Sequence, residues 1–442
     1  MTSIQTGRFR LSAELPRMAF RNLARHRVKT VLTVSAVTMS VALYIFADGW
    51  LTGMNLESIR NIVCYEIGAA KLQKREYFEN KDELPMYENF DSWRVYADAL
   101  HKGGYASAPR FVFQATIYTE RGFAPVIINA VEPEREERLL RYTKYIEDGR
   151  YINPGGFEIV IGSMLAKKLI PEDGNRNVLI STVIDIKDGG VIRHVNQLIS
   201  AVIVGVVNSP DPQVNYTAFI PLDVLQDEAG LMLEGRVTEL LIRKQNPDDG
   251  AIPGRDETEG AIRAAILKET GVLSDDLDVF PWRAYVRDYF AASASDDVTT
   301  RIMLVILFIL SLLGIANTVL LAILERTKEI GMLRALGMTD GELILMMTLE
   351  SGFIGMIGSA AGIVIGCLIN IPMVKYGIDF SGITEAMNGD IGYRITGAFR
   401  SAWNIPVILC SGLAATALSA CMAYFPARRA LKMPVTESLR FE

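Results

Sequence analysis

Four stretches of this sequence run without a charged side chain for 18 to 27 residues: Thr30 to Ala47, Ile302 to Leu324, Ser351 to Val374 and Ser401 to Ala427. A helix rises about 1.5 Å per residue, so about 20 residues cross a hydrocarbon core about 30 Å thick. No water is present there to satisfy backbone amides and carbonyls, so an uncharged run of this length crosses as a helix. The expected fold is thus an α-helical membrane domain of four transmembrane helices. Composition adds a second part. Half of the residues are hydrophobic, yet 22% are charged, a mixture of apolar spans and an ordinary soluble domain. The net charge of −6 offers no basic field for a nucleic acid.

Flanking charge orients the spans. The first thirty residues carry seven Lys or Arg against Glu14 alone. After Ala427 come Arg428, Arg429, Lys432 and Arg440 against two acids, and the Lys375 to Arg400 loop is balanced at three and three. The positive-inside rule places both termini in the cytoplasm. A secretory signal is disfavoured by the long segment before the first apolar run and the lack of an A-x-A site, so that run is read as an uncleaved anchor. The expected order is a cytoplasmic amphipathic N-terminus (1–29), a first span (30–50), an extracytoplasmic domain with helical stalks (51–299) and a second span (300–324). A cytoplasmic loop (325–342), third span (343–374), outer loop (375–400), fourth span (401–427) and cytoplasmic tail (428–442) follow. Arg17, Arg21 and Arg25 recur every four residues near the start, with Phe20, Leu23 and Ala24 on another face. That pattern fits a helix lying on the membrane surface, or a basic flank without fixed structure.

The large outer region mixes strands and helices, an α+β pattern. Residues 69–73, 111–118, 124–131, 159–161, 178–186, 191–207 and 239–243 are rich in β-branched side chains and predict strands. Asp188-Gly189-Gly190 predicts a hairpin turn between two of them. Leu198 to Val207 is almost wholly apolar, which predicts a strand buried on both faces. Helices are expected at 86–102, 134–144 and 257–269. A strand–helix–strand unit therefore stands at each end, around 69–118 and 239–280, with a β-rich insertion at about 120–235 between them. Asp48 to Asn61 and Trp282 to Arg301 contain no proline and extend the first two spans as helical stalks, or serve as linkers.

The most informative stretch is Glu325-Arg-Thr-Lys-Glu-Ile-Gly-Met-Leu-Arg-Ala-Leu-Gly337. It follows the second span and falls in the cytoplasm. Glu329 to Leu336 predicts a short helix, and Gly337 suits its left-handed cap. Thr339 with Glu342 three residues on is a capping box for the next helix. Ile330, Leu333 and Leu336 among Arg326, Lys328, Glu329 and Arg334 are expected on the exposed surface, as apolar anchors in a charged rim that suits a groove on another protein.

This stretch resembles the signature E-R-x-x-E-I-G-x-L-R-A-L-G of the FtsX-like permease family. Glu350 with the glycine-rich span after it resembles the same family. So do the ending Pro426-Ala-Arg-Arg-Ala-Leu-Lys-Met-Pro434 through Glu437-Ser-Leu-Arg440, and the beginning Asn22-Leu-Ala-Arg-His-Arg27 with Thr30 and Leu32. The resemblance covers both ends, and the outer domain in architecture only, where it implies a MacB-like periplasmic core with a β-rich inserted subdomain. It implies a pair of permeases, this chain with itself or with a paralogue, engaging a cytoplasmic ABC ATPase dimer that binds the ATP and Mg. The ATPase-coupling residues would be Glu325, Arg326, Lys328, Glu329, Ile330, Gly331, Leu333, Arg334, Leu336 and Gly337. The family is similar in working by mechanotransmission: ATP-driven closure moves the stalks and the outer domains rearrange.

Subtraction narrows the branch. No GxxxxGK[ST] occurs in these residues, so this chain is expected to hold no ATPase and no cofactor, unlike the fused MacB proteins. Cell-division members have a smaller outer domain and bacitracin-type permeases more spans. Lipoprotein-releasing (Lol) permeases of the cell inner membrane fit best. Ala130-Val-Glu-Pro133 and Glu147-Asp-Gly-Arg150 with Ile159-Val-Ile-Gly-Ser163 are similar to their outer domain. Two alternatives stay open: a MacB-like efflux permease for peptides or drugs, and a membrane-anchored regulator of an extracytoplasmic cell-wall enzyme.

Other residues carry weaker expectations. Gly358, Gly362 and Gly366 repeat every four residues with Gly355 beside them, allowing close helix packing, within the chain rather than between chains. Tyr44, Phe46, Trp50 and Met54 at the outer end of the first span form a possible cavity wall for a lipidated substrate, and also fit an interfacial aromatic belt. Cys64, Cys367, Cys410 and Cys421 show no CxxC spacing, and His26, His101 and His194 are scattered. No metal site and no catalytic grouping is expected.

Overall fold

Nothing in the first apolar run ends a helix at the membrane boundary, since it holds no proline. In the computed structural model of the chain a single helix of 35 residues runs from Arg27 to Asn61, about 52 Å at 1.5 Å per residue, which exceeds a ~30 Å hydrocarbon core. The structure describes residues 15–21, 23, 27–171, 174–188, 191–225, 235–245, 252–254, 257–287, 298–299, 301–306, 308–309, 327–379, 382 and 394–431. It divides into two compact units. One comprises Met1–Gly53, Ala294–Ile378 and Arg400–Glu442, the other Met54–Ser293 and Asp379–Phe399.

The first unit is helical. Among the described residues three helices are long and apolar enough to cross a membrane: Thr30–Ile67, Asp340–Lys375 and Ile405–Arg429, with only 28%, 33% and 22% of their most apolar windows buried. Val31, Leu32, Met39, Leu43, Val364, Leu368, Leu409 and Leu413 lie open. Lipid, not water, accommodates such continuous apolar surface. Of the expected second span, Arg301–Ile306, Phe308 and Ile309 are helical, and 310–324 lies outside the described residues. Most of the second expected stalk does too: Trp282–Tyr285 is a short helix, and 288–297 is not among the described residues.

Among the described residues the second unit is built on a ten-stranded sheet, in chain order β1 (Ala70–Lys74), β2 (Tyr105–Tyr118), β3 (Phe123–Val131), β4 (Ile146–Gly149), β5 (Glu158–Gly162), β6 (Asn177–Asp188), β7 (Val191–Val207), β8 (Thr217–Pro221), β9 (Glu239–Lys244) and β10 (Leu277–Pro281). Among the helices that accompany them are α1 (Trp93–Lys102), α2 (Pro133–Leu139), α3 (Ser163–Leu169) and α4 (Glu259–Thr270). The order β10-β1-β9-β2 is antiparallel throughout. Tyr96 and Leu100 of α1 and Ile262 and Ile266 of α4 share a core with Leu72, Ile242 and Val279 of that sheet. Both strand–helix–strand units thus lie side by side in one sheet.

Strand β2 belongs to two structures. Its first half, Tyr105–Arg110, pairs with β9. Its second half pairs with β3 and, from Ala115 to Tyr118, with β6. From β3 the pairing continues through β8, β5 and β7 to β6, which with the β2–β6 pairing closes a six-strand ring. β6 and β7 pair as far as Asp188↔Val191; the turn expected at Gly189 and Gly190 lies outside the described residues.

Three sequence expectations are corrected. Leu198–Val207 is buried on both faces only at its end: Leu198 and Val202 lie open between the buried Ile199, Ala201 and Ile203, while Gly205, Val206 and Val207 are all buried. The helix expected from Met86 starts at Trp93, since Phe90 is taken up by a β-bridge to Val237. The helix expected to reach Lys144 ends at Leu139, where Leu140 turns extended and the Arg141 amide donates to the Cys64 carbonyl at 3.1 Å.

Candidate functional site

The segment between the second and third expected spans folds from local rules. Its helix spans Thr327–Ala335, and Gly337 ends it at φ +97°, a backbone conformation that glycine adopts without penalty. The Gly337 amide donates to the Arg334 carbonyl at 3.0 Å and the Met338 amide to the Leu333 carbonyl at 3.1 Å, the paired bonds of a Schellman cap. Two residues on, Thr339 starts the helix Asp340–Lys375 with a complete capping box: its side chain accepts from the Glu342 amide and the Glu342 carboxylate accepts from the Thr339 amide. Arg334 Nε stands 3.1 Å from Asp340 Oδ1 across the turn. Two capped helices and one ion pair make this turn stiff.

The faces of the short helix differ from the expectation. Ile330 is buried, and Leu333 packs against the same cluster, formed with Met338, Leu343, Met346 and Met347. Both serve their own unit and do not stand open as anchors, because the turn folds back over the start of the next helix. Lys328, Met332, Leu336 and Gly337 are exposed, Leu336 at 83%, while Gly331 is buried and Glu329 and Arg334 are half-buried. Met332 and Leu336, four residues apart, are therefore the open apolar pair. Met332 went unselected in the sequence, although its spacing from Leu336 carried the signal. Glu325 and Arg326 lie outside the described residues. At the start of the chain Leu15, Ala19 and Leu23 are buried and Arg17 and Arg21 exposed, an amphipathic division.

The glycines of the Asp340–Lys375 helix sit where other helices come closest. A Cβ on Gly358 would stand 2.6 Å from Val37 Cβ, and one on Gly362 2.8 Å from the Thr38 carbonyl oxygen. On Gly366 it would stand 3.1 Å from Ala42 Cα, and on Gly355 2.7 Å from Ser419 Cβ. Three glycines thus admit the Arg27–Asn61 helix and the fourth admits the Ile405–Ala430 helix. Thr38 Oγ1 donates to the Gly358 carbonyl at 3.1 Å, and Ser359 and Thr416 hydroxyls meet at 3.2 Å.

Of the aromatic group, Tyr44 packs on Phe308 with ring centroids 5.3 Å apart, and Phe46 on Trp50 at 5.7 Å. Met54 falls in the other unit. A groove of about 480 Å³ in the helical unit is lined by Thr30, Val34, Thr38, Met39, Ile357 and Ile365 among others, and by none of those four. At the outer end of this helix the Asp48 carboxylate accepts from Asn404 Nδ2 at 2.8 Å and faces Arg301 Nη1 at 3.4 Å, which ties three helices together. Two glycines of the first helix admit the chain before the last one: a Cβ on Gly53 would meet the Arg400 carbonyl oxygen at 2.2 Å, and one on Gly49 the Ser401 Oγ at 2.9 Å.

The second unit holds buried charge that no local sequence pattern marked. Arg110 Nε donates to Glu136 Oε1 at 2.8 Å, and Lys71 Nζ to Glu239 Oε2 at 2.8 Å. Burial alone would lower the Arg110 guanidinium, but Glu136 beside it holds it above its ordinary range. Among the described residues no group of three or more His, Cys, Asp or Glu is placed to hold a metal ion.

Residues 301–435 match the family of FtsX-like permease C-terminal domains. The chain carries an FtsX-like permease domain. That domain includes the capped turn, the glycine-lined helix and the last helix. Similarity reaches further than the domain: the lipoprotein-releasing system transmembrane protein LolC of Neisseria meningitidis serogroup B is 23% identical over 369 residues, covering 81% of this chain and 84% of that protein. An ABC transporter permease of Methanocaldococcus jannaschii is 35% identical over 130 residues, 29% of each chain. The macrolide export ATP-binding/permease protein MacB 1 of Aeromonas hydrophila is 25% identical over 130 residues, 29% of this chain and 17% of that protein. The FtsX-like permease domain thus stands among ABC transporter permeases of the LolC and MacB kind.

Proposed function

We propose that the protein is the permease subunit of an ABC transporter that works by mechanotransmission and releases lipoproteins from the outer leaflet of the cytoplasmic membrane. The observation that carries this reading is the extent of the LolC match, 81% of this chain and 84% of that protein. The similarity to MacB 1 covers 29% of the chain, a length that an FtsX-like domain alone accounts for. In this reading the chain has four spans, residues 302–324 supplying the second. Both termini lie in the cytoplasm and the ten-stranded unit outside. ATP and Mg are bound by a separate ATPase dimer that seats on the Thr327–Gly337 turn through Met332, Leu336 and Lys328. A second permease, a further copy or a paralogue, completes the assembly.

A stiff turn suits force transfer, because a capped helix held by an ion pair moves as one body where an open loop would bend. The 35-residue Arg27–Asn61 helix supplies a rod of the length that a stalk requires. Substrate is handled at the outer leaflet, near Tyr44, Phe46 and Trp50. The second reading, efflux of peptides or drugs, draws on the MacB match. The relatives lend nothing to a cell-wall regulator.

Copurification from native membranes tests the assignment. An ABC ATPase, a second permease and acylated protein are expected to come down together, and photo-crosslinkers at Trp50 are expected to capture lipidated protein. Capture of soluble peptides or drugs at Trp50 would favour efflux. Recovery of the chain without any ATPase would end the transporter reading.

A further inference from the structure

Within the ten-stranded unit one arginine joins three parts of the chain that are distant in sequence. Arg394 stands in the loop before the last helix, and its side chain is largely buried. Its Nε and Nη2 donate to Asp211 Oδ1 at 2.8 and 2.7 Å, and Nη2 donates to Glu66 Oε2 at 2.5 Å. Glu66 belongs to the helical turn Ile62–Ile67 that follows the first long helix, and Asp211 follows β7. The backbone repeats the connection. The Arg394 amide donates to Ser58 Oγ at 3.2 Å, and Asn61 Nδ2 donates to the carbonyls of Arg394 at 2.7 Å and Pro210 at 3.2 Å. The Thr396 amide donates to the Pro210 carbonyl at 2.9 Å and its hydroxyl to the Ser209 carbonyl at 2.6 Å.

We infer that Arg394 is a positioning residue: it locks the segment before the last helix to the end of the first long helix and to the end of β7, so that these three parts of the unit move together. The inference rests on the transporter reading and deepens it by naming a part that carries motion. Several features set this contact apart from an ordinary surface pair. A planar guanidinium grips Asp211 through Nε and Nη2 while Nη2 also reaches Glu66, a fork geometry that an ammonium cannot reproduce. One cation faces two acids, so loss of the arginine leaves the fully buried Asp211 carboxylate facing the half-buried one of Glu66, which costs far more than loss of an exposed pair. The segment from Arg394 to Thr396 also meets Ser58, Asn61 and Pro210 through its main-chain atoms and Ser209 through the Thr396 hydroxyl, so its path is fixed at several points.

The test uses full-length protein with its partner ATPase in proteoliposomes and a triacylated reporter lipoprotein. Hydrogen exchange is read first. Arg394→Gln is expected to raise exchange at least tenfold at the amides of Arg394 and Thr396 and to leave that of β1 and β9 unchanged. Unaltered exchange at both amides overturns the lock, and so does a general loss of protection across the unit. Coupling is read second. Arg394→Gln is expected to keep ATP hydrolysis within about twofold of wild type while reporter release falls at least tenfold, with Arg394→Lys between the two. Full release by Arg394→Gln, or a parallel fall in hydrolysis and release, overturns the positioning role. Should the wild-type complex release no reporter, the lipoprotein reading fails, and the exchange measurement still decides the lock.

Discussion

The amide of Met338 donates to the carbonyl of Leu333 across Gly337 at 3.1 Å, and both side chains belong to one apolar cluster. This bond reverses the chain between the short helix and the long one. It needs a left-handed residue between its partners, which is why glycine stands there at φ +97°.

Replacement of that glycine therefore acts through the backbone. Nothing lies within 4 Å of a Cβ placed on Gly337, so Gly337→Ala is strained without being crowded, at a cost of about 1–2 kcal/mol. Thermal unfolding in detergent is expected to show this modest loss, and pull-down of the partner ATPase a larger one, because the turn loses its fixed direction. Unchanged ATPase binding by a destabilised variant would separate the cap from docking.

Burial of Asp211 predicts a pH dependence of stability. Burial first, and then the negative charge of Glu66, push its carboxyl from 3.8 up to about 6 against the pull of Arg394. Below about pH 4 the group is neutral both folded and unfolded and costs nothing. From about pH 4 to 6 the unfolded chain gives up a proton that the folded chain keeps, so stability falls as pH rises and levels off above about 6. At about 1.4 kcal/mol for each unit of pKa, the loss is on the order of 3 kcal/mol. Asp211→Asn is expected to flatten this part of the curve. Denaturation at pH 4.5, 5.5 and 7 checks it, and parallel curves for variant and wild type would refute the assignment.

The parts legible in the sequence were those fixed over a few residues. Gly337 as a cap, Thr339 with Glu342 as a capping box and the four-residue glycine repeat each state their geometry locally. Ile330, expected on the exposed surface, is buried instead, because its side depends on Met338 and Leu343 folding back over it. The closed ring depends on Ala115–Tyr118 meeting Leu179–Thr182, a pairing across more than sixty positions, and no alternation of polar and apolar residues encodes a partner. The first half of Leu198 to Val207 departs from its expected burial at Leu198 and Val202, because an apolar run does not say how many of its faces are covered. Arg394 was one cation in a charge-balanced loop, and only the fold shows what it reaches.

The glycine line predicts a graded series. Gly362→Ala puts a methyl 2.8 Å from both the Thr38 carbonyl oxygen and Val41 Cβ, so the two helices must separate. It is expected to cost about 1–3 kcal/mol as overpacking, and Gly362→Leu is expected to prevent stable folding in detergent. Gly341 on the same helix meets nothing within 4 Å, so Gly341→Ala should be neutral or up to about 1 kcal/mol stabilising. Equal behaviour of the two alanine variants would mean that the close approach contributes nothing to stability.

Docking of the ATPase can be divided between the two faces of the short helix. Met332 and Leu336 stand open at 50% and 83% and are free to insert into a groove on a partner. Ile330 is 5% exposed and stabilises its own unit. Met332→Asp and Leu336→Asp are expected to leave the melting temperature within a few degrees of wild type while weakening ATPase binding tenfold or more, at least about 1.4 kcal/mol. Ile330→Asp buries an unpaired carboxylate and is expected to lower stability itself by several kcal/mol, with binding lost as a consequence. Titration of the purified ATPase against each folded variant, alongside thermal unfolding, distinguishes the two effects. If Met332→Asp and Leu336→Asp together bind as tightly as wild type, the ATPase does not seat on this face, and the stiff turn transmits nothing through it.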